Sequence, residues 1–413
     1  MQIHTHKLFK IALMNAKLYL VMILCVGMIG AQVSSAQCTN GRYLNTIFPT
    51  YTVTTVTYST TYSQAMDIYQ PTGDTLSHRP LVILAHGGSF IGGTRNDDST
   101  CVQLCRNLCQ RGYVTASIDY RLGTISSLLD SAQIIDVVIK AMSDGKAAIR
   151  YFVKDAATTN TYKIDTDNIF IGGNSAGAVL YMHVGYIDSI GECPNYIVDA
   201  MNNNGGFEGN SGNAGYTTKS KAIIDLAGAL NKVNLAGPGD KPSVNAQGDQ
   251  DQVVPYTCGN PNPGVSVPVT LCGLGSLEPQ YNAEGIYHWS LVFPGDGHVP
   301  WDNNPVKFPR VDSLVTNFLY TLVCGTTSVN ELTQNAAYDI YPNPASTEVY
   351  IRSSSSIGDI YIYDIAGRVI AHANAAGNKT YEINTSQLAK GMYVMRIYDG
   401  QDHLPFTKKL TIE

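Results

Sequence analysis

Gly173-Asn174-Ser175-Ala176-Gly177 is a Gly-x-Ser-x-Gly pentapeptide whose surroundings make it more than a chance run of small residues. It follows the apolar stretch Asn168-Ile169-Phe170-Ile171 and precedes Ala178-Val179-Leu180-Tyr181-Met182. Strand, tight turn and helix therefore succeed one another, as a nucleophile elbow requires. The glycines permit the sharp turn and the close packing of neighbouring segments. Ser175 then presents its Oγ to a substrate, and the helix N-terminus behind it favours negative charge developing there. A Gly-rich βα turn with a capping serine is the alternative reading.

A second group, His86-Gly87-Gly88-Ser89-Phe90, directly follows the apolar strand Leu81-Val82-Ile83-Leu84-Ala85. Acyl transfer needs backbone N–H groups aimed at an oxyanion, and a Gly-Gly step lets the backbone approach without a Cβ clash. Gly87 and Gly88 are the expected donors from this loop, and Ala176 the donor after the nucleophile. His86 reads as structural. In a triad of this order the acid and then the base follow the serine. Of the late histidines, His372 and His403 fall in the tail, and His288 precedes the last strand of the first domain. His298, in Phe293-Pro294-Gly295-Asp296-Gly297-His298, sits on a loop after that strand and is the expected base. For the acid, Asp249 and Asp251 both lie in the loop after the strand 243–247. Asp251 is preferred because the Val253-Val254-Pro255-Tyr256 segment packs it, and Asp249 is the reserve.

These groups need a scaffold, and the chain supplies alternating strands and helices. Residues 47–69 alternate in strand fashion, and 81–85, 113–120, 168–171, 222–230, 243–247 and 290–293 are further strands. Helical spacing runs over 97–111, within 129–155 and over 308–323. Strands separated by helices mean βαβ units and a mainly parallel sheet, an α/β class of fold. Residues 191–219, rich in Asn and Gly, interrupt the rhythm; they form either a cap or lid loop beside the site or a surface insertion. The chain of 413 residues is 44% apolar, enough for a large core, and only 15% charged, which excludes a charge-rich disordered protein. Lys and Arg total 27 against 33 Asp and Glu, so nucleic acid is not an expected partner.

Residues 1–36 read as a secretory signal peptide: Lys7, Lys10 and Lys17, an apolar run from Leu18 to Gly30 too short to span a bilayer comfortably, then Ser34-Ser35-Ala36. Cys25 lies in that segment. The other eight cysteines, at 38, 101, 105, 109, 193, 258, 272 and 324, are an even set in an exported chain and fit disulfides. Cys258 and Cys272 bracket a Pro/Gly-rich excursion and could close it. Cys101, Cys105 and Cys109 share a helical face, from which each is expected to reach another element. Cys324 is expected to bridge either to that helix or to Cys38. After a polar linker, 325–336, the tail from 337 shows short alternating runs such as Ile360-Tyr361-Ile362-Tyr363 and Tyr393-Val394-Met395-Arg396-Ile397, the pattern of an all-β sandwich.

Taken together, the ordered motifs Met66-Asp67-Ile68-Tyr69-Gln70-Pro71, His86-Gly87-Gly88, Asp119-Tyr120-Arg121-Leu122, Ile164 to Ile169, Gly173 to Gly177, Gly248 to Tyr256 and Gly297-His298 resemble the α/β-hydrolase esterases and lipases related to hormone-sensitive lipase and to acetylxylan and feruloyl esterases. The resemblance implies a catalytic domain over 37–324, with Ser175, Asp251 and His298 as triad and Gly87, Gly88 and Ala176 as oxyanion hole. Ser89 stands where a third glycine is usual, Asn174 where an acid is frequent and Ala178 where a glycine is common. The tail, through Ile340-Tyr341-Pro342-Asn343-Pro344, Ile362-Tyr363-Asp364 with Gly367-Arg368, Leu388 with Gly391-Met392-Tyr393, and Lys408-Lys409-Leu410, is similar to the C-terminal sorting domain of type IX secretion. That implies the type IX machinery as a partner and a secreted or cell-surface place in a Gram-negative bacterium. The expected activity is hydrolysis of carboxylic esters, either plant polysaccharide acetyl or feruloyl esters or short-chain esters, without metal or organic cofactor. A polyester hydrolase or lipase, or a serine peptidase on the same scaffold, is the alternative.

Overall fold

The computed structural model describes residues 38–325, 338–353, 356–364, 369–399 and 406–413. The expected signal segment, the linker after Gly325 and the Gly367-Arg368 pair lie outside the described residues. Two compact units result: residues up to Phe308 with Val315–Gly325, and Thr326–Glu413 with Pro309–Leu314.

The first unit is built on an eight-stranded sheet. Tyr51–Ser59 (β1) and Gln64–Pro71 (β2) form an antiparallel pair, and β2 runs antiparallel to Val114–Ile118 (β4). Arg79–Ala85 (β3) lies between β4 and Ile164–Asn174 (β5) and is buried along its whole length. A strand covered on both faces needs a continuous apolar run rather than an alternating one, which is how 81–85 reads. Ala222–Leu226 (β6), Ser243–Gly248 (β7) and, after the short pair Cys258–Gly259 (β8) and Leu271–Cys272 (β9), His288–Phe293 (β10) complete the order β1-β2-β4-β3-β5-β6-β7-β10. From β4 to β10 every neighbouring pair is parallel. Strand β6 stops at Leu226, earlier than its apolar run suggests, because Ala227 turns the chain with φ of 55°.

Helices fill the crossovers. Ser99–Gln110 (α1) starts at Asp98, whose carboxylate accepts the Cys101 N–H at 2.9 Å, a side-chain N-cap. Ser131–Ala157 (α2) begins in the same way at Asp130, which caps Gln133. Ala176–Tyr186 (α3) is buried on all sides, and its near-continuous apolar sequence reflects that. Asn195–Asn203 (α4), Leu274–Glu284 (α5) and Lys307–Cys324 (α6) follow. The stretch 191–219, read from its sequence as irregular, contains α4, which buries Ile197 and Met201. Beyond α4 the segment is pinned to α2: Ser211 donates to Asp144 at 2.5 Å, Ser143 Oγ accepts the Asn210 N–H at 2.9 Å, and Arg150 reaches Glu208 at 3.0 Å.

Two disulfides join described residues. Cys38 pairs with Cys324 across a sequence separation of 286, one of the two partners expected for Cys324, and Cys258 pairs with Cys272. The helix cysteines depart from expectation. Cys101, Cys105 and Cys109 are free and buried: α1 turns their common face onto the sheet, and none of them is bonded to another cysteine among the described residues. The Cys101 thiol donates to the Ala85 carbonyl instead, and the three serve as small apolar core residues.

In the second unit, Tyr338–Tyr341 (β11), Glu348–Ser353 (β12) and Thr380–Asn384 (β15) make one sheet. Ile357–Tyr363 (β13), Val369–Asn374 (β14), Gly391–Asp399 (β16) and Phe406–Ile412 (β17) make the other. Inward residues of both, among them Ile351, Ile360, Met395, Ile397 and Leu410, share one core, so the unit is the expected all-β sandwich.

Candidate active site

Strand β5 ends at Asn174, and Ser175 follows with φ 54° and ψ −118°, a conformation that an L-residue holds only under constraint. The constraint is visible on both sides. The Ser175 N–H donates to the Leu226 carbonyl at 2.8 Å, and its carbonyl accepts the Val179 N–H at 3.0 Å. Gly177 meets the end of β3 so closely that a Cβ there would lie 2.0 Å from the Ala85 carbonyl oxygen. The small residue is a packing requirement.

Two loops at the same end of the parallel strands come to this turn. The loop after β7 brings Asp251, whose Oδ1 accepts the N–H of Val253 and Val254 at 3.0 and 3.1 Å. Its Oδ2 takes Gln247 Nε2 at 3.3 Å and His298 Nδ1 at 2.7 Å. The loop after β10 carries His298, and His298 Nε2 lies 2.8 Å from Ser175 Oγ. A fully buried carboxylate can only accept, so Nδ1 carries the proton, Nε2 is the free lone pair, and Ser175 donates its hydroxyl proton toward it. Asp249, the reserve acid, lies elsewhere: its carboxylate accepts the Gly295 N–H at 2.7 Å and so ties down the loop that carries His298. His288 is not at this cluster. Its Nδ1 donates to the Ile286 carbonyl at 2.8 Å, beside Tyr281.

The loop after β3 departs from expectation at one donor. The Gly87 N–H is already given to Asp98 Oδ2 at 2.8 Å, so it has nothing left for an oxyanion. The reason is the turn at Gly88, whose φ of 116° and 2.2 Å clearance between an added Cβ and the Gly92 carbonyl demand glycine. The turn leaves the Gly87 amide facing the cap of α1. The N–H groups of Gly88, Ser89 and Ala176 have no hydrogen-bond partner among the described residues. Ser89 takes φ of 55° and lines the same cavity as Ser175 and Ala176. His86 is structural, as read: its ring stacks on Tyr120 at 4.3 Å, and burial lowers its pKa and keeps it neutral.

Sequence reasoning missed three supporting residues. Asp98 caps α1 with one oxygen, while its other oxygen holds Gly87 and Asn174 Nδ2, at 2.8 and 3.1 Å. Gln247 donates to Asp251 and to the Val254 carbonyl, and accepts the Leu274 N–H. Arg95 ties the loop after β3 to Asp67 and Asp119, at 3.0 and 2.5 Å. Only the cap at Asp98 carries a local signal, an acid just before a helical run; Gln247 lies near Asp251 in sequence but has no pattern that marks it, and the partners of Arg95 are 24 and 28 residues away.

A cavity of about 120 Å³ opens at Ser175 and Ala176 and runs between α2, α3 and the 253–271 segment. Ile197 of α4 lines it, so that part of 191–219 does sit beside the site.

Residues 66–247 match the family model BD-FAE, and residues 339–413 match the model of the secretion system C-terminal sorting domain. The chain carries an α/β-hydrolase esterase domain. The esterase-domain match contains Ser175 and the loop His86-Gly87-Gly88; Asp251 and His298 lie beyond its end. The sorting domain is the type IX kind and makes this a secreted or cell-surface esterase. Among solved structures, the chain is similar to a thermophilic esterase, Est2, of the Planctomycetes species Thermogutta terrifontis. With butyrate bound, that protein is 16% identical over 68% of this chain and 98% of its own, with a TM-score of 0.49. The propionate-bound form aligns at 16% identity over 67% and 96%, with a TM-score of 0.48. No curated protein matches the chain.

Proposed function

We propose that this esterase hydrolyses its substrates in two steps through Ser175, His298 and Asp251. The observation that carries the proposal is the unbroken line of hydrogen bonds from Asp251 through His298 to Ser175 at the mouth of an apolar cavity. His298 Nε2 takes the Ser175 proton as Oγ attacks the ester carbonyl carbon. The carbonyl oxygen gains the charge, and the unpaired N–H groups of Gly88, Ser89 and Ala176 receive it; Ser89 replaces Gly87 in the expected set. The tetrahedral intermediate collapses, and the alcohol departs with the proton from His298. Water, deprotonated by His298, then attacks the acyl-Ser175 carbonyl and releases the acid. Asp251 keeps the imidazole in the Nδ1–H tautomer and balances the imidazolium charge without itself taking a proton. Export by the type IX machinery of a Gram-negative bacterium would deliver the enzyme to esters outside the cell, polysaccharide-bound ones included.

Ser175→Ala tests the proposal. The variant is expected to fold with unchanged circular dichroism and to lose at least about a thousandfold in kcat on p-nitrophenyl acetate. Retention of more than a few per cent of activity in a preparation free of wild-type enzyme rejects Ser175 as nucleophile.

A further inference from the structure

The walls of the cavity at Ser175 are almost wholly aliphatic. Val179 comes from α3, Ile134, Val138 and Met142 from α2, and Val254 and Val267 from the segment between β7 and β9. No Asp, Glu, Lys or Arg lines it. Apart from Ser175, its polar lining residues are Ser89, His183, Asn231 and Thr270, and His183 is tied to its surroundings. His183 Nδ1 donates to the Val179 carbonyl at 2.8 Å, and Nε2 accepts the Asn231 backbone N–H at 3.1 Å. Burial lowers the pKa of His183, so the ring presents a neutral face.

The cavity also has a direction. Ala176, Val179, His183 and Ile187 line it, spaced three and four residues apart, so they form one stripe along α3 and just past its end. From Ser175 to Ile187 that stripe extends roughly 18 Å, at about 1.5 Å per residue. An extended alkyl chain advances roughly 1.3 Å per carbon, given C–C bonds of about 1.5 Å, so the stripe is as long as an acyl chain of roughly a dozen carbons. An acetyl group would leave nearly all of this surface unused. A feruloyl group would bring a planar ring and a phenolic hydroxyl against a mainly aliphatic wall, which costs binding energy.

We propose that this cavity is the acyl site and that the enzyme prefers esters of unbranched aliphatic acids of medium chain length over acetyl and feruloyl esters, a reading that rests on Ser175 as the nucleophile. Each methylene that leaves water for such a wall is worth up to about fourfold in kcat/KM.

The test uses the full chain and a p-nitrophenyl series of acetate, butyrate, octanoate and laurate, with methyl ferulate and acetylated xylan beside it. kcat/KM is expected to rise at least about tenfold from acetate to octanoate, with ferulate and xylan at or below the acetate value. A series that is flat or falls with chain length overturns the acyl-site proposal while leaving Ser175 in its role. Failure to hydrolyse any ester of the series overturns the nucleophile reading itself. Val138, half-buried on α2, tests the location. Val138→Phe should lower the octanoate-to-acetate ratio of kcat/KM at least about fivefold, and Val138→Ala should not lower it. An unchanged ratio in folded Val138→Phe protein places the acyl chain elsewhere and overturns the proposal.

Discussion

The Asp98 carboxylate accepts the backbone N–H of Gly87 at 2.8 Å, and through the same oxygen it accepts the side-chain amide of Asn174 at 3.1 Å. One half-buried acid thus fixes the spacing between the loop after β3 and the turn on which Ser175 stands. It is a positioning residue: it touches neither the nucleophile nor the expected place of the substrate.

Asp98→Ala should therefore lower kcat by about tenfold to a hundredfold, since displaced donors lose most of their effect on the oxyanion. KM should change little, and Asp98→Asn should recover part of the loss. The lost cap on α1 adds about 1 kcal/mol of instability. Steady-state kinetics beside urea unfolding separates the two effects: a variant that loses stability but keeps kcat shows Asp98 to be a cap and nothing more.

Asp251 and Asp249 divide the work of one loop. Asp251→Asn removes the acceptor that holds the His298 tautomer, and kcat is expected to fall by about 10⁴, with the fold intact. Asp249→Asn loses only a tether to the Gly295 N–H, and a fall of less than about tenfold is expected. The opposite ranking in kcat measurements would assign the acid to Asp249.

Asp225 lies buried on β6, where its carboxylate accepts the Gly228 N–H at 2.7 Å, and burial pushes its pKa up to about 7 from an ordinary 3.8. Between those two values the folded protein holds a proton that the unfolded chain has released. Stability therefore falls as pH rises from 3.8 to 7, by about 4 kcal/mol in all, and stays lower above that. Asp225→Asn keeps an acceptor for Gly228 and removes the charge. Its unfolding free energy relative to wild type should improve between pH 5 and pH 8; a difference that is the same at both values would show that Asp225 does not titrate in this window.

The Cys38–Cys324 bridge closes a separation of 286 residues. A loop of that length is worth roughly 5 to 6 kcal/mol in chain entropy of the unfolded state. Cys324→Ser should lower the thermal midpoint by several degrees, well beyond the effect of Cys258→Ser, whose loop separation is 14. Calorimetry of both variants made under oxidising conditions checks the order.

Local sequence determined the strand–turn–helix at Ser175, the parallel strands and the sandwich tail, because each depends on short-range requirements. Gly173 and Gly177 flank a serine between a strand and a helix; 81–85 must be apolar throughout to be covered twice; and 357–363 must alternate to face a core on one side. What the chain could not declare was which distant groups would meet. Asp249 and Asp251 are equally acidic in the sequence, and only the paths of the loops after β7 and β10 bring Asp251 to His298 and leave Asp249 at Gly295. Gly87 and Gly88 are equally free of a Cβ, yet the Gly88 turn gives the Gly87 amide to Asp98, an acid eleven residues on. The helix cysteines have the right count for bridges, but a disulfide needs a second cysteine within reach, and with α1 packed on the sheet all three stay free. The cavity at Ser175 is of the same kind. Its lining residues read as ordinary core in the sequence, and only the tertiary packing leaves a gap among them beside Ser175, because a cavity is a property of how helices and loops meet and not of any one of them.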